Sequence, residues 1–393
     1  MAIDADGDAG FDLVCEHCGR RVVARWRARC DCGQPLWVDG DHTDADATLP
    51  DGPVADQWAF ADLLPVEPPT DLGRAAGGTP LIRTPALDDG VGATVSVKYE
   101  GANPTGSFKD RGSAVAVAAA TAAGADTVAT VSHGNMARSV AAHAAAAGLD
   151  CTVFVPDDIP RERLGTIAAF DPDIVAVDGD YGALYERALA LGPDRNVPVA
   201  NSDVPLRVAG QKTTLLEVFA EATPDAVVLP VSSGGHASAA WKAVRDLRSL
   251  GALSEPPELH FVQTAACAPV AEAFARGDDT VSPVTAGETV AYSIANADPP
   301  SGDRALRAAR TTGGAVRAVD DDAIERARDN LATRTGLSVE TASATTLAAA
   351  RRIAFDPGDE VVLVATGDGA VEAANRPPPA TQSVDIDDVE TVL

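Results

Sequence analysis

The sequence predicts an α/β protein with parallel sheets, arranged as two lobes around a cleft and preceded by a small cysteine module. Short apolar runs alternate with alanine-rich helical stretches from about residue 94 to 365, and such βαβα alternation implies parallel strands. Apolar residues make up 46% of the chain but aromatics only 4%, so alanine and valine must fill the core, which suits strands covered by helices on both faces. A length of 393 residues exceeds what one core usually supports.

At the N-terminus, Cys15 and Cys18 are separated by eleven residues from Cys30 and Cys32. Four thiolates at this spacing close a tetrahedral zinc site with no open coordination position, a structural knuckle spanning 1–40. Two disulfides or free thiols are the alternative. Cys151 and Cys267 stand alone in apolar stretches and read as core thiols of a reducing cytoplasm. A connector rich in aspartate, proline and glycine covers 41–77, and its apolar patch, Trp58, Phe60, Leu63 and Leu64, is able to dock a short helix. The main domain, 78–375, opens at Gly78-Thr79-Pro80-Leu81, and 376–393 forms an acidic tail.

Formal charge is 31 basic minus 58 acidic residues, or −27. Self-repulsion of that size calls for a salt-rich, halophile-like cytoplasm, where screening acts within about 3 Å at 1 M. The same charge excludes nucleic acid and anionic membranes as partners, and no targeting or membrane-spanning segment is present in the sequence.

A strand at about 94–99 leads to Asn103-Pro104-Thr105-Gly106-Ser107-Phe108-Lys109-Asp110-Arg111, a polar turn that places Lys109 at the mouth of a helix. Only four of the basic residues are lysines, so a retained lysine needs a chemical reason. A primary amine condenses with an aldehyde, whereas arginine stays protonated; Lys109 is therefore a candidate Schiff-base residue. The strand at 127–131 runs into Ser132-His133-Gly134-Asn135, a turn that should face the same cleft, because ligands sit beyond the carboxyl ends of parallel strands. Strands at 151–155, 174–177 and 226–231 follow, with a helix at 161–170. After the last of these, Ser232, Ser233, Gly234, Gly235 and His236 open a helix whose glycine-freed amides suit an anion.

The run N-P-T-G-S-F-K-D-R-G at 103–112 is identical to the lysine motif of the threonine synthases, and the stretch 201–213 resembles the same family's second signature. Landmarks at 293–297, 336–344 and 361–369 resemble it as well. The resemblance implies a tryptophan-synthase-β-like fold (fold type II) whose smaller lobe spans about 112–200, with pyridoxal phosphate as cofactor. It implies a lyase that converts O-phospho-L-homoserine and water to L-threonine and phosphate, as a monomer or homodimer. Lys109 would carry the cofactor beside Phe108, with Asn135 at the ring oxygen, Thr366 at the ring nitrogen, and Ser232, Ser233, Gly234, Gly235 and His236 at the cofactor phosphate. Ser132, Asn201, Ser202 and Arg207 would bind substrate, the last three at its phosphate. The chain departs from the family at His133 and Met136, where threonines stand, at Ser232 to His236 in place of G-N-x-G-N, and at 370–373 in place of L-K-D. Those departures keep open a paralogue catalysing β-replacement or dehydration of another (phospho)amino acid. A third reading is a non-catalytic protein on the same scaffold.

Overall fold

The computed structural model describes residues 2–3, 9–40, 49–157, 159 and 161–372; the acidic tail and residues 41–48 of the connector lie outside them. Six strands form the larger sheet in the order Val316–Val319, Glu258–Thr264, Ala226–Pro230, Glu360–Ala365, Thr94–Tyr99, Leu81–Arg83. All neighbours are parallel except the final pair. That pair is joined by only ten residues, and a parallel crossover needs a dozen or more. A second, all-parallel sheet comprises Thr127–Val131, Asp150–Pro156 and Asp173–Val177. Every residue of Ala226–Pro230 is buried, as expected of a strand covered on both faces.

The cysteine module is a small antiparallel sheet in which Ala9–Val14 pairs with Arg21–Ala24 and Trp37–Val38. It straddles both lobes. Trp37 joins the core of the larger sheet with Leu229 and Trp241, while Phe11, Leu13 and Leu36 join that of the smaller with Val128 and Val153. The apolar patch of the connector forms a 3-10 helix, Gln57–Leu63, with Trp58, Phe60 and Leu63 buried. Among the described residues, no helix is long and apolar enough to cross a membrane.

Lys109–Ala122 is the helix that organises the cleft. Its alanines and Gly112, together with Gly210 of the facing helix, let Pro205–Gln211 approach closely: a Cβ on Gly210 would lie 2.1 Å from the Arg111 carbonyl oxygen, and one on Gly112 3.0 Å from that of Arg207. Beneath its first turn Arg111 is fully buried. Its Nε donates to Glu100 at 2.6 Å, Nη1 to Glu217 at 2.6 Å and to Thr213 at 3.0 Å, and Nη2 to Thr79 at 2.9 Å. Lys98, also fully buried, pairs with Glu217 at 2.9 Å. Burial alone would raise the Glu217 carboxyl, but Arg111 and Lys98 override it and hold it down at about 2.

Breaking a buried ion pair from one side costs about 3–5 kcal/mol, because the other charge is left uncompensated. Arg111→Met should therefore lower unfolding free energy by about that amount in denaturant titrations, and a loss under about 1 kcal/mol would contradict the role given to this cluster. The Glu217 carboxylate contributes stability above its unfolded value of 4.5, and that contribution should fade as pH falls toward about 2.

Candidate active site

Three stretches distant in sequence are joined by backbone bonds into one floor beneath Lys109. Phe108 N–H donates to the Thr366 carbonyl at 3.0 Å, Asp368 N–H to that of Gly106 at 2.9 Å, and Glu340 N–H to that of Gly367 at 3.1 Å. Gly106 turns at φ +81°, which the loop preceding Lys109 requires. Asp110 ties this loop down, accepting from Thr105 N–H at 2.6 Å, Thr105 Oγ1 at 2.7 Å and Ser139 Oγ at 2.5 Å.

Lys109 begins its helix half-buried. Its Nζ lies 4.4 Å from the centre of the Phe108 ring, and among the described residues no carboxylate forms an ion pair with it. Burial, followed by repulsion from Arg207, pushes its pKa down to about 7 against a pull from Glu340. A lysine in that state is substantially neutral near pH 7 and hence nucleophilic. Glu340 is pushed the other way, to about 7, chiefly by burial, while a hydrogen bond from Asn135 Nδ2 favours its charge. Its carboxylate fills the space above Gly367, where a Cβ would lie 2.4 Å from Oε2.

The residues expected to bind substrate converge here. Arg207 is fully buried; Nη1 donates to Ser113 at 2.6 Å and Nη2 to the Lys109 carbonyl at 3.2 Å, while Nε has no partner. Asn201 spends its oxygen on Val131 N–H at 2.8 Å and Thr130 Oγ1 at 3.2 Å, leaving Nδ2 without one. Ser202 Oγ donates to Met136 Sδ at 3.2 Å, so the smaller lobe's turn touches the 201–207 segment. Ser132 is buried, and its Oγ accepts from Gly134 N–H at 3.4 Å. His133 sets its ring edge-on to Tyr181, 5.6 Å between centres.

Gly234 caps the helix Gly235–Ser249 at φ +84°. An added Cβ there would lie 2.6 Å from the Ser301 backbone, and one on Gly235 2.4 Å from the Ser202 carbonyl oxygen. Ser232 and Ser233 are half-buried beside them. His236 stacks on Phe108, ring centres 4.1 Å apart at 12°, and Nε2 meets Thr214 Oγ1 at 3.2 Å while Nδ1 has no partner. Burial, with Lys109 and Arg111 nearby, keeps its imidazole well below the usual range and therefore neutral. Thr366 Oγ1 meets Ser343 Oγ at 2.9 Å. Sequence reasoning passed over Glu340 and Ser343, although both stand in the landmark at 336–344.

Buried polar atoms normally find partners. Ser107 Oγ, Asn201 Nδ2, Arg207 Nε and His236 Nδ1 lack them, and all four belong to segments that surround Lys109. Unspent donors, a neutral amine and a glycine-capped helix start fit an anionic, aldehyde-bearing group such as pyridoxal phosphate.

In the N-terminal module, the Sγ atoms of Cys15, Cys18, Cys30 and Cys32 lie within 4.8 Å of one another. Cys15 and Cys32 are 3.6 Å apart, as are Cys18 and Cys30, and no disulfide joins them. A tetrahedron with metal–sulfur bonds of about 2.3 Å has edges of about 3.8 Å, so the four fit a metal ion. Each knuckle turns at a glycine in the left-handed region, Gly19 and Gly33.

The lowered pKa of Lys109 is open to direct test. Competitive labelling with a small amine-reactive reagent, read by mass spectrometry, should show Lys109 gaining reactivity as pH rises through about 7, while Lys98, held in buried ion pairs, stays unlabelled. A midpoint above about 10, that of an ordinary lysine, would contradict the electrostatic account.

The family described as pyridoxal-phosphate dependent enzyme matches residues 72–367. The threonine synthase of Methanocaldococcus jannaschii is 30% identical over 384 residues, covering 92% of this chain and 95% of its own. That of Methanosarcina acetivorans is 32% identical over 374 residues, covering 91% of each. Among solved structures, the threonine deaminase of T.th. superposes with a TM-score of 0.61 at 26% identity, covering 77% of this chain and 94% of its own. The chain therefore belongs to the pyridoxal-phosphate dependent enzyme family, with the fold type II architecture, and within that family to the threonine synthases.

Proposed function

We propose that the enzyme forms L-threonine and phosphate from O-phospho-L-homoserine and water. The observation that carries this reading is the pair of unspent donors on Asn201 and Arg207 beside Lys109, in a chain whose relatives are named threonine synthase. A guanidinium and an amide offered together suit a tetrahedral dianion. Ser232 to His236 hold the cofactor phosphate, Asn135 and Thr366 address the ring, and Phe108 lies under the Lys109 amine. The bound cofactor supplies an electron sink that makes the substrate Cα proton removable. Lys109 would carry the protons: its neutral amine would take the one at Cα, give it up to the bound adduct and, neutral again, take one at Cβ as phosphate leaves Cγ toward Ser202 and Arg207. Water adds at Cβ after a proton returns to Cγ. The four cysteines hold structural zinc.

One contact favours the second reading, β-replacement or dehydration of another amino acid. The Ser202 hydroxyl, needed for a substrate phosphate, is turned toward Met136 Sδ. The two readings separate in one assay, run in multimolar salt to suit a surface of net charge −27. Phosphate and threonine should appear in equal amounts from O-phospho-L-homoserine, with Lys109→Ala slower by at least about a thousandfold. Bound-cofactor absorbance without either product would transfer the assignment to the second reading, and no bound cofactor at all would leave a non-catalytic scaffold.

For the cysteine module, elemental analysis should find about one zinc per chain, and Cys30→Ser should abolish it. Parent protein that is fully folded and metal-free would remove zinc from the account.

A further inference from the structure

We propose that Arg29 is a positioning residue through which the cysteine module holds the phosphate-facing loops of the active site in register. The inference rests on the reading of Ser202 and of residues 232–236 given above. Arg29 precedes Cys30, and its backbone is fixed by the knuckle: it bridges Pro35, Leu36 N–H donates to the Ala28 carbonyl at 2.9 Å, and Cys30 N–H to that of Gln34 at 2.8 Å. From this anchored position the side chain leaves the module and enters the catalytic domain. Nη1 forms an ion pair with Asp203 at 3.0 Å, and Nη2 donates to Glu186 at 3.1 Å.

Asp203 is the point where the two phosphate-facing loops meet. It is fully buried and accepts from Tyr185 and from Ser301 Oγ, the latter at 3.2 Å. Its neighbour in the chain is Ser202, whose carbonyl lies against Gly235 so closely that a Cβ would sit 2.4 Å away. Ser301 in turn donates its N–H to the Ser233 carbonyl at 2.9 Å and packs against Gly234. Among the described residues, Arg29 is the cation in ion-pair contact with Asp203. Without it the buried carboxylate loses its ion-pair partner and keeps only the hydrogen bonds from Tyr185 and Ser301 and the more distant Arg304 guanidinium. The least costly response is for the 201–203 and 301 segments to part and admit water, and both are packed on the loop at 232–235. A closed knuckle is what keeps the Arg29 backbone where its side chain reaches.

The test uses the full-length holoenzyme with Arg29→Ala and Arg29→Lys. Zinc is read by elemental analysis, pyridoxal phosphate affinity by spectroscopic titration, and KM and kcat with the phosphorylated substrate. Arg29→Ala should retain zinc while the cofactor Kd and the KM rise about tenfold, kcat changes by less than about threefold, and lysine restores most of the loss. Cofactor Kd and KM within about twofold of the parent in a zinc-replete Arg29→Ala protein overturn the proposal, as does loss of zinc together with cofactor, which would assign Arg29 to holding the module alone. Should Arg29→Ala be recovered unfolded, Ser301→Ala decides: it cuts one link of the chain and should raise cofactor Kd about threefold, and an unchanged Kd overturns the proposal. The cofactor titration needs no substrate, so a parent protein inactive on O-phospho-L-homoserine would count against the proposed reaction and leave this test in force.

Discussion

The position of Lys109 depends on a charge cluster two residues along its helix. Arg111 is gripped by Glu100 and Glu217 inside the protein, and the grip gathers separate parts of the chain. Thr79 of the Gly78-Thr79 opening donates to Glu100 at 2.7 Å, and Gly78 N–H to Glu217 at 2.8 Å. Lys98 comes from the strand Thr94–Tyr99, next to the sheet edge, and Glu217 from the helix Thr213–Glu221. Two cations and two anions taken out of water give little net stability, since desolvation offsets most of their attraction. What they give is a single solution: any shift of the helix start by a residue would leave a buried charge without its counterpart. Such a cluster fixes the lysine in space more firmly than an apolar contact of similar area, which tolerates sliding.

The distribution of lysine makes sense in the same terms. Three of the four, Lys98, Lys212 and Lys242, are buried and paired with carboxylates. Each fits a compact ammonium into a space bounded by neighbouring helices, where the longer, planar guanidinium would need a wider slot. Lys109 alone is half-buried and has no ion-pair partner among the described residues. The scarcity of lysine in the sequence thus marked two different things, packing at three positions and chemistry at one, and composition could not separate them. The motif around Lys109 could.

What was legible in the sequence was whatever is encoded by neighbours along the chain. The alternation of strands and helices, the parallel sheets, the knuckle spacing of Cys15 to Cys32 and the turn before Lys109 are all local patterns, and each is present in the structure. The edge strand Leu81–Arg83 runs antiparallel, a reversal set by the length of its connection rather than by any apolar pattern. The stack of His236 on Phe108, the bond from Asn135 to Glu340 and the pair of Arg29 with Asp203 join residues 128, 205 and 174 positions apart. No periodicity carries such information, because the partners are brought together only by how the two sheets and the module pack. His236 also illustrates how a residue in an expected loop takes an unexpected direction: the backbone follows the helix start, but the ring turns inward and stacks on Phe108.

Burial is the largest contribution to the electrostatic character of the floor, because it acts with opposite sign on an amine and a carboxylic acid. The same loss of water brings Lys109 down and Glu340 up until both stand at about 7. Each favours the charge of the other, against the larger effect of burial. At neutral pH such a floor tolerates a neutral amine opposite a neutral acid, with the Arg207 and Arg138 guanidiniums close by. An arriving phosphate changes that balance. Under the proposed reaction it would oppose ionisation of Glu340 and would be met by the Arg207 guanidinium together with the unspent amide donor of Asn201. The nucleophile can stay unprotonated because the anion's countercharge is supplied by a guanidinium that desolvation lowers only to about 10, still charged at any pH at which the enzyme would work. Lysine and arginine therefore divide the task by chemistry: one must be able to lose its proton in this environment, and the other must not.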